Sequence, residues 1–337
     1  MNKRMGRRNF LKFSSAGIAS ALLGSSGLIS WSPRAHAATI SQTFYITEGF
    51  ITQPDDVDVY FKGFSTDTNS LTVPGAQLIA QEGDTVRVTI VNTLGTSHSF
   101  KIDGVVDSGS IAGGQTKTVE FTVNNAGSYL YYDGLNAPYN RLVGLHGALA
   151  VMPSGSSNEL YAGSPTFVQQ YSWVINDIDP AWHDRIRRRR TPNTPFTPSY
   201  FTINGRSMRV PGHPDYGNPD IDSGYALDTR LEGSIGDRTL VRILNAGGCM
   251  HSVHFHANHV EWLARNGQPR ADVWKKDTVL LPNNIGSLDV IYPFEVPPDS
   301  WPQAPTGMYP MHFHDEMTQT AGGGLYQFGI ATTIAFK

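Results

Sequence analysis

The chain has a single cysteine, Cys249, in 337 residues. An internal disulfide is therefore excluded, and stability must come from packing. Charged residues are also scarce, at 16%, and a net charge of −3 gives the whole molecule no attraction to nucleic acid. No long segment has the period of an amphipathic helix, which argues against a helical protein.

Residues typical of turns and strands are abundant. The sequence contains 34 Gly and 21 Pro, with many Thr, Val and Tyr, and this composition favours a strand-rich globular protein. Its length allows two medium domains, each with its own core. The one basic run, residues 185–190, lies in a Pro-rich stretch and is predicted to be a solvated loop.

The N-terminal segment has the features of an export signal. Arg7 and Arg8 precede an apolar stretch over residues 13–29, and Ala-His-Ala at 35–37 has the small-x-small pattern of a cleavage site. Ser and Gly interrupt the apolar stretch, which is too weak to span a bilayer well. We therefore predict a cleaved twin-arginine signal over residues 1–37, a periplasmic or extracellular location, and no membrane span in the mature chain.

Two segments of the chain recur at fixed displacements. Residues 83–98 begin with Gly-Asp, continue as an alternating strand and end at a histidine, and the same pattern returns at 236–251, displaced by 153 residues. Residues 127–132 return at 307–312, displaced by 180 residues. The two halves are thus predicted to be copies of one β domain.

Short alternating segments between these landmarks, separated by Gly, Pro and Asn, predict an all-β fold of two Greek-key β-sandwiches. The linker-like composition of residues 153–158 places the boundary there, with a first domain over 38–153 and a second over 154–337. Residues 176–235 are expected to form long loops with one strand near Tyr200.

Six of the eleven histidines lie in two short segments of the second half, at positions 251, 254, 256, 259, 312 and 314. In a strand, residues i and i+2 point to the same side, so each His-x-His pair presents two imidazoles on one face. Two such strands side by side bring four rings together. Imidazole binds copper, zinc, iron or nickel, and copper most tightly of the divalent ions. The alternative is that these histidines are ordinary surface or core residues.

The pattern His-x-x-His-x-His, followed by Lys276-Asp277-Thr278 and a final His-x-His, resembles the copper-binding domain of multicopper oxidases. Asn204-Gly205 also resembles a landmark of that family, and the similarity covers residues 70–337. The resemblance implies cupredoxin-like domains and copper as the cofactor.

Under this resemblance, His251 matches a type 1 copper ligand, His254 the type 2 ligand and His256 a type 3 ligand. His312 and His314 match the remaining type 3 ligands.

The departures from the family are as informative as the matches. Phe313 stands where the family has the type 1 cysteine, and Thr318 and Gly323 replace that site's other ligands. A blue copper site needs the thiolate, so no type 1 copper is expected. Cys249 lies elsewhere and is expected to be a buried, unreactive thiol.

The first domain has lost its histidines at the corresponding positions, which are occupied by Lys101, Asp103, Tyr132 and Gly134. A complete three-copper centre is therefore not expected, and one or two copper ions of type 2 or type 3 character remain. His98 and His146 are the candidates left in this domain, although a structural role is the commoner fate of a lone histidine.

Further residues near the ligands could contribute. Asp315 and Glu316 could orient imidazoles or move protons near a bound oxygen species, or be ordinary strand-end acids. Four methionines could offer soft ligands to Cu(I) or simply fill the core, namely Met250, Met308, Met311 and Met317.

Three functions follow. The first is a copper-dependent oxidoreductase that oxidises a small molecule or metal ion with dioxygen at the copper. The second is a non-catalytic copper-binding or copper-buffering protein of the envelope, and the third is a scaffold that kept the fold. The resemblance also implies a homotrimer in which His98 of a neighbouring chain completes the site.

Overall fold

The computed structural model describes residues 27–156, 158–209, 229–297, 307–326 and 328–337. Within these residues strands predominate, and the predicted all-β fold of two cupredoxin-like Greek-key sandwiches is confirmed. The twin-arginine pair at Arg7 and Arg8 lies outside the described residues. In the described part of the chain, none of the helices has the length and apolar character needed to cross a bilayer.

A short strand, β1 (Leu28–Ile29), comes first. The N-terminal sandwich follows, with strands β2 (Thr39–Thr52), β3 (Asp58–Ser65), β4 (Gly75–Gln81), β5 (Thr85–Asn92), β6 (Lys101–Ile102), β7 (Val106–Asp107), β8 (Thr116–Thr122), β9 (Gly127–Tyr132) and β10 (His146–Met152), and with helix α1 (Tyr139–Leu142) before the last strand. Its two sheets have the strand orders β3-β2-β5-β8 and β4-β10-β9-β6-β7.

The C-terminal sandwich contains β11 (Gln169–Ile178), helix α2 (Pro180–Arg187), β12 (Tyr200–Ile203), β13 (Met208–Arg209), β14 (Leu231–Gly233), β15 (Arg238–Asn245), β16 (His251–Phe255), β17 (Val260–Arg265), β18 (Gln268–Lys276), β19 (Thr278–Leu281), β20 (Ser287–Pro293), β21 (Gly307–Phe313), a 3₁₀ helix (Glu316–Gln319), β22 (Thr320–Ala321), β23 (Leu325–Tyr326), β24 (Phe328–Gly329) and β25 (Ala331–Phe336). One sheet has the order β1-β11-β15-β20-β17-β18, with β12 also paired to β11. The other, with the order β14-β25-β21-β16-β19, carries the histidines.

Each sandwich is held by alternating apolar residues. In β5, Val86, Val88 and Ile90 are fully buried, while the residues between them are more exposed. Strand β15 is buried along almost its whole length because it lies between its own core and the N-terminal sandwich. Alternation therefore marks strands with one solvated face, and the continuous burial of β15 marks the contact between sandwiches.

Two buried arginines cross this contact. Arg242 donates to the Ser128 hydroxyl at 3.2 Å and to the Gln170 side chain at 3.0 Å. Arg141, from α1, donates to the carbonyl oxygens of Ala246 and Gly247 at 2.6 and 2.9 Å. Since a buried guanidinium must have acceptors, both arginines tie the sandwiches together.

The predicted solvated loop at residues 185–190 is wrong for its first half, because Arg185 and Arg187 lie in α2. Asp179 caps this helix by accepting from the backbone N–H groups of Ala181 and Trp182, and Pro180 occupies its first turn. An N-cap Asp followed by Pro is a common helix start that outweighed the basic composition. The strand expected near Tyr200 is present as β12.

Candidate metal centre

The two His-x-His segments lie side by side. Strands β16 and β21 are antiparallel neighbours, and His254 lies opposite His312. The alternate residues Val253, Phe255 and Phe313 are buried in the core, so the histidines occupy the opposite face of the sheet. The period of two in the sequence therefore places the imidazoles together on one face.

Three of these imidazoles form a compact group. The ligand nitrogens of His254, His256 and His312 all lie within 4.8 Å of one another. The Nε2 atoms of His256 and His312 are 3.1 Å apart. The ring of His314 adjoins the group, with its centroid 4.4 Å from that of His254. We call these four residues the histidine cluster.

Backbone and hydroxyl groups orient the rings. His254 Nδ1 lies 3.2 Å from the carbonyl oxygen of Asp277 and 3.0 Å from Thr278 Oγ1. His312 Nδ1 lies 3.1 Å from the carbonyl oxygen of Phe313. Because a carbonyl can only accept, each Nδ1 carries the proton and each Nε2 presents a lone pair. This is the orientation that a metal ion requires of a histidine ligand.

The surroundings favour the neutral form of His254 and His256. Burial, followed by charge repulsion from the neighbouring histidines, lowers the pKa of His256 to about 4. The pKa of His254 is also lowered, first by burial and then by His314 and His312. Neutral imidazoles with converging lone pairs are the form that binds a metal, so the residues present fit copper or another imidazole-binding ion.

His251, which was predicted to match a ligand, is not brought to this cluster. It is 1% exposed, and its ring nitrogens contact Asp177 Oδ1 at 3.0 Å and Asp315 Oδ2 at 3.1 Å. Burial by itself lowers the pKa of His251, but hydrogen bonds to Asp177 and Asp315 outweigh it and raise the pKa to about 9. A protonated ring held by two carboxylates has no lone pair to offer a metal.

The first-half candidates also lie apart from the cluster. His98 is completely buried, with Nδ1 2.7 Å from Asp133 Oδ2 and Nε2 2.9 Å from Thr96 Oγ1. His146 is buried as well; its Nδ1 lies 2.7 Å from the carbonyl oxygen of Arg141, and burial lowers its pKa to about 4. To reach a neighbouring chain, His98 would have to leave both hydrogen bonds.

The other residues singled out in the sequence differ in placement. Asp315 contacts His251 and also accepts from the backbone N–H of Ser252 at 3.2 Å, whereas Glu316 is exposed at the start of the 3₁₀ helix. Met311 lies in the core, while the other three methionines are more than half exposed, at positions 250, 308 and 317. Cys249 is half-buried, and burial followed by the charge of Asp177 raises its pKa to about 12, which leaves the thiol protonated.

Sequence reasoning missed Asp177. It ends up beside His251 because the last residues of β11 pack against the start of β16, and its Oδ2 accepts from the backbone N–H of Cys249 at 2.7 Å. Gly247 permits this approach, since a Cβ there would lie 2.3 Å from Asp177 Oδ2. Asp177 lies 74 residues from His251 and in no local motif, so only the fold reveals the pairing.

Solved structures share this architecture. The blue copper oxidase of Nitrosomonas europaea superposes with a TM-score of 0.70 at 21% identity, covering 89% of this chain and 86% of that one. The copper nitrite reductase of Nitrosomonas europaea superposes with a TM-score of 0.62 at 20% identity, covering 89% of this chain and 94% of that one. These similarities define the fold as that of two-domain cupredoxin proteins.

Sequence comparison adds a family model that matches part of the first half, and curated relatives. Residues 68–156 match the family model of multicopper oxidases. The copper-containing nitrite reductase of Alcaligenes xylosoxydans xylosoxydans is 29% identical over 160 residues, which are 40% of this chain and 47% of that protein. That of Rhizobium meliloti (strain 1021) is 21% identical over 254 residues, or 67% of this chain and 61% of the relative. The chain thus spans about half to three fifths of these relatives, and its resemblance to multicopper oxidases is confirmed.

Proposed function

We propose that this protein is a copper-dependent oxidoreductase whose single functional centre is a non-blue copper site in the C-terminal sandwich. His254, His256 and His312 would be the ligands, with His314 available as a fourth. The observation that carries this proposal is the convergence of three imidazoles, whose ligand nitrogens lie within 4.8 Å of one another, on a strand pair with no cysteine between the histidines. The relatives named for copper support copper over zinc.

A bound copper ion would supply one-electron exchange and a coordination position for a small substrate. The chain itself would do the rest. Asp277 and Thr278 hold the ring of His254 by its Nδ1, so that Nε2 faces the centre of the cluster. His314 is exposed, so this side of the cluster is accessible to a small molecule or metal ion from solvent.

Proton handling would fall to the acids that follow the last ligand. Asp315 is half exposed, and its hydrogen bond to His251 is the main reason that its pKa is lowered, so it is charged at neutral pH. An ionised carboxylate beside a protonated imidazole is a pair that can give and accept protons. Glu316, exposed at the next position, would link this pair to solvent.

A second candidate, a non-catalytic copper-binding protein of the envelope, is favoured by Phe313. Its buried ring lies 5.1 Å from that of His251, where the resemblance places a thiolate electron relay. Without that relay, a substrate must react directly at the copper, and storage of the ion is the simpler use of the site. A scaffold role, the third possibility, leaves the histidine cluster unexplained.

The remaining elements of the proposal rest on the resemblance and the N-terminal motif. We infer export by the twin-arginine route to the periplasm or the cell exterior, and assembly as a homotrimer. One or two copper ions per chain would be bound, with type 2 or type 3 character.

The test is metal content with absorption and paramagnetic-resonance spectra of copper-loaded protein, followed by oxygen consumption with phenols, metal ions and small reductants. The matched pair is His254→Ala with His312→Ala against Lys101→Ala with Tyr132→Phe, the equivalent cross-strand pair of the other sandwich. Copper at one or two per chain without an intense blue band, lost only in the histidine variant, supports the site. Oxygen consumption with one of these substrates then supports the oxidoreductase. Bound copper without oxygen consumption, with spectra that azide does not change, supports the copper-storage protein.

A further inference from the structure

The residues between β1 and β2 form a strap across both sandwiches. Leu28 and Ile29 extend the edge of β11, opposite Tyr171 and Gln170. Ile29 is 5% exposed and packs in a small apolar cluster with Ile79, Ala150 and Met152 of the N-terminal sandwich. The strap therefore begins on one sandwich and continues over the other.

At its far end the strap supplies a counter-charge to a buried acid. Arg34 forms an ion pair with Asp84, whose side chain is completely buried. The backbone of Arg34 is fixed on both sides by Gln81, with its N–H donating to Gln81 Oε1 at 3.0 Å and its carbonyl accepting from Gln81 Nε2 at 3.1 Å. A buried carboxylate is costly unless it is paired, so Arg34 has a clear stabilising role.

The same carboxylate has a second partner four residues further along. The backbone N–H of Ala38 donates to Asp84 Oδ1 at 2.8 Å. The three residues before it, at 35–37, are exposed, whereas Ala38 is half-buried. An exposed small-x-small segment thus ends at a peptide nitrogen that already points at a buried negative charge.

We propose that hydrolysis of the Ala37–Ala38 peptide bond converts the strap-bound chain into a mature form in which the new α-ammonium group of Ala38 replaces Arg34 as the counter-ion of Asp84. The reaction consumes one water molecule: the carbon–nitrogen bond breaks, the Ala37 carbonyl gains the hydroxyl as a carboxylate, and the nitrogen of Ala38 becomes an ammonium.

The geometry requires little rearrangement for this exchange. The nitrogen is in place before cleavage, and the residues after it are anchored, since Thr85 N–H donates to the Ala38 carbonyl at 3.0 Å and β2 begins at Thr39, paired with β5. Loss of the strap removes the guanidinium from Asp84, and the same cut supplies a positive charge at the other carboxylate oxygen. The buried acid is therefore paired in both forms of the chain.

Cleavage also exposes what the strap covered. The edge of β11 at Tyr171 and Gln170 loses its partner strand, and the cluster around Ile79 and Met152 loses Ile29. The cut form therefore differs from the uncut form at the junction of the sandwiches, as well as at its terminus.

The first experiment determines the N-terminus of the full chain after export from a bacterial host, by intact mass and terminal sequencing. A start at Ala38 is expected, and any mature chain that retains Arg34 overturns the proposal.

The α-amino group is then labelled by reductive methylation with ¹³C and titrated by NMR. The α-amino group of a chain terminus ordinarily has a pKa of about 8. Slower labelling than that of an exposed amine and an upward shift of its pKa are expected, and an amine that reacts freely and titrates as an ordinary terminus overturns the proposal.

A second experiment compares unfolding midpoints of the processed chain and of an Ala37→Phe variant that is not cut, between pH 6 and pH 10. An ammonium paired with Asp84 stabilises the fold at low pH, and this contribution is lost as the pH rises through the raised pKa of the amine. Arg34 keeps its charge throughout, so the uncut variant lacks this loss. Titrating groups common to both chains, including His251, cancel in the difference.

The groups that face this nitrogen are few in the described structure. Asp84 and Arg34 are the charged side chains in contact with it or with its partner, and Glu82 is occupied by the backbone N–H groups of Ala126 and Ser154. His36 is exposed and departs with the strap. In the processed chain, Asp84→Asn should abolish the pH-dependent difference in unfolding midpoint from the uncut variant, and it should leave the amine free to be labelled. If the difference in midpoint is unchanged by Asp84→Asn, the pairing of the amine with Asp84 is overturned.

Discussion

The same cross-strand position serves opposite purposes in the two sandwiches. In the N-terminal one, Lys101 lies opposite Tyr132 on β6 and β9, and in the C-terminal one, His254 lies opposite His312 on β16 and β21. The repeat in the sequence equates these pairs, and the strand registers agree with it. One backbone arrangement thus carries two unrelated side-chain chemistries.

Lys101, Asp103 and Tyr132, which we call the N-terminal set, satisfy one another's polar groups. Lys101 Nζ lies 3.1 Å from Asp103 Oδ1, and the Tyr132 hydroxyl donates to the same oxygen at 2.8 Å. Cation, acid and phenol therefore need no ligand from outside. The histidine cluster instead has ring nitrogens that face one another, as in the 3.1 Å approach of His256 Nε2 and His312 Nε2, and imidazole nitrogens that converge in this way are suited to bind a metal cation.

A second repeated position differs less. His98 and His251 are equivalent in the repeat, and both are buried against carboxylates, Asp133 for the former and Asp177 with Asp315 for the latter. In both sandwiches the histidine at this repeated position is thus held by a carboxylate within the protein. The two sandwiches diverge at the cluster and agree at this position.

The largest effect is expected from removing these buried histidines. His251→Ala removes the imidazole that Asp177 pairs with, and His98→Ala removes the imidazole that Asp133 pairs with; loss of one member of a buried pair costs about 3–5 kcal/mol. Urea unfolding of each variant measures the change in free energy. A loss below about 1 kcal/mol in one of them would show that its pair is solvated and would separate the two sandwiches at this position as well.

Next in size is the effect of ligand loss on copper affinity. His254→Ala with His312→Ala should weaken copper binding by more than about 100-fold, since loss of orienting partners alone costs 10–100-fold. Titration calorimetry checks this against Lys101→Ala, which should bind copper as the wild type does. Equal weakening by both substitutions would mean that the N-terminal set takes part in binding.

The pH dependence of stability isolates His251. Its pKa rises from an ordinary 6.5 to about 9 in the fold, so its contribution is complete below about pH 6.5 and is lost as the pH rises through about 9. We expect a decline of about 1–3 kcal/mol over this range. Unfolding of metal-free protein at a series of pH values measures it, and His251→Gln should flatten the curve over this range. If the stability of the His251→Gln variant falls with pH as steeply as that of the wild type, the loss of stability belongs to another titrating group.

The smallest effect is expected at the N-terminal set. Tyr132→Phe removes one hydrogen bond to Asp103 and should cost about 0.5–1.5 kcal/mol, with no change in copper binding. Thermal unfolding and the same calorimetry check both parts. A change in copper affinity here would contradict the separation of the two sandwiches.

Local sequence patterns were enough to predict the class of fold, the duplication and the face of the histidines. Period-two alternation is a local property, so β5 and the His-x-His segments were recognisable without any knowledge of neighbours. The same period predicted that His254 and His256 share a side and that His312 joins them from a second strand. Where a local capping signal competed with composition, as at Asp179, the prediction of a loop failed.

The distant partners of the remaining histidine became visible only in the packed fold. Its odd spacing from His254 already puts His251 on the opposite face of β16, but nothing local to it reveals that Asp177, 74 residues away, and Asp315, 64 residues away, hold its ring. Asp84 likewise meets both Arg34 and the nitrogen of Ala38 across more than forty residues. Such contacts depend on the packing of distant strands, and because the energy of a buried charge depends on its partners, no local pattern reveals them.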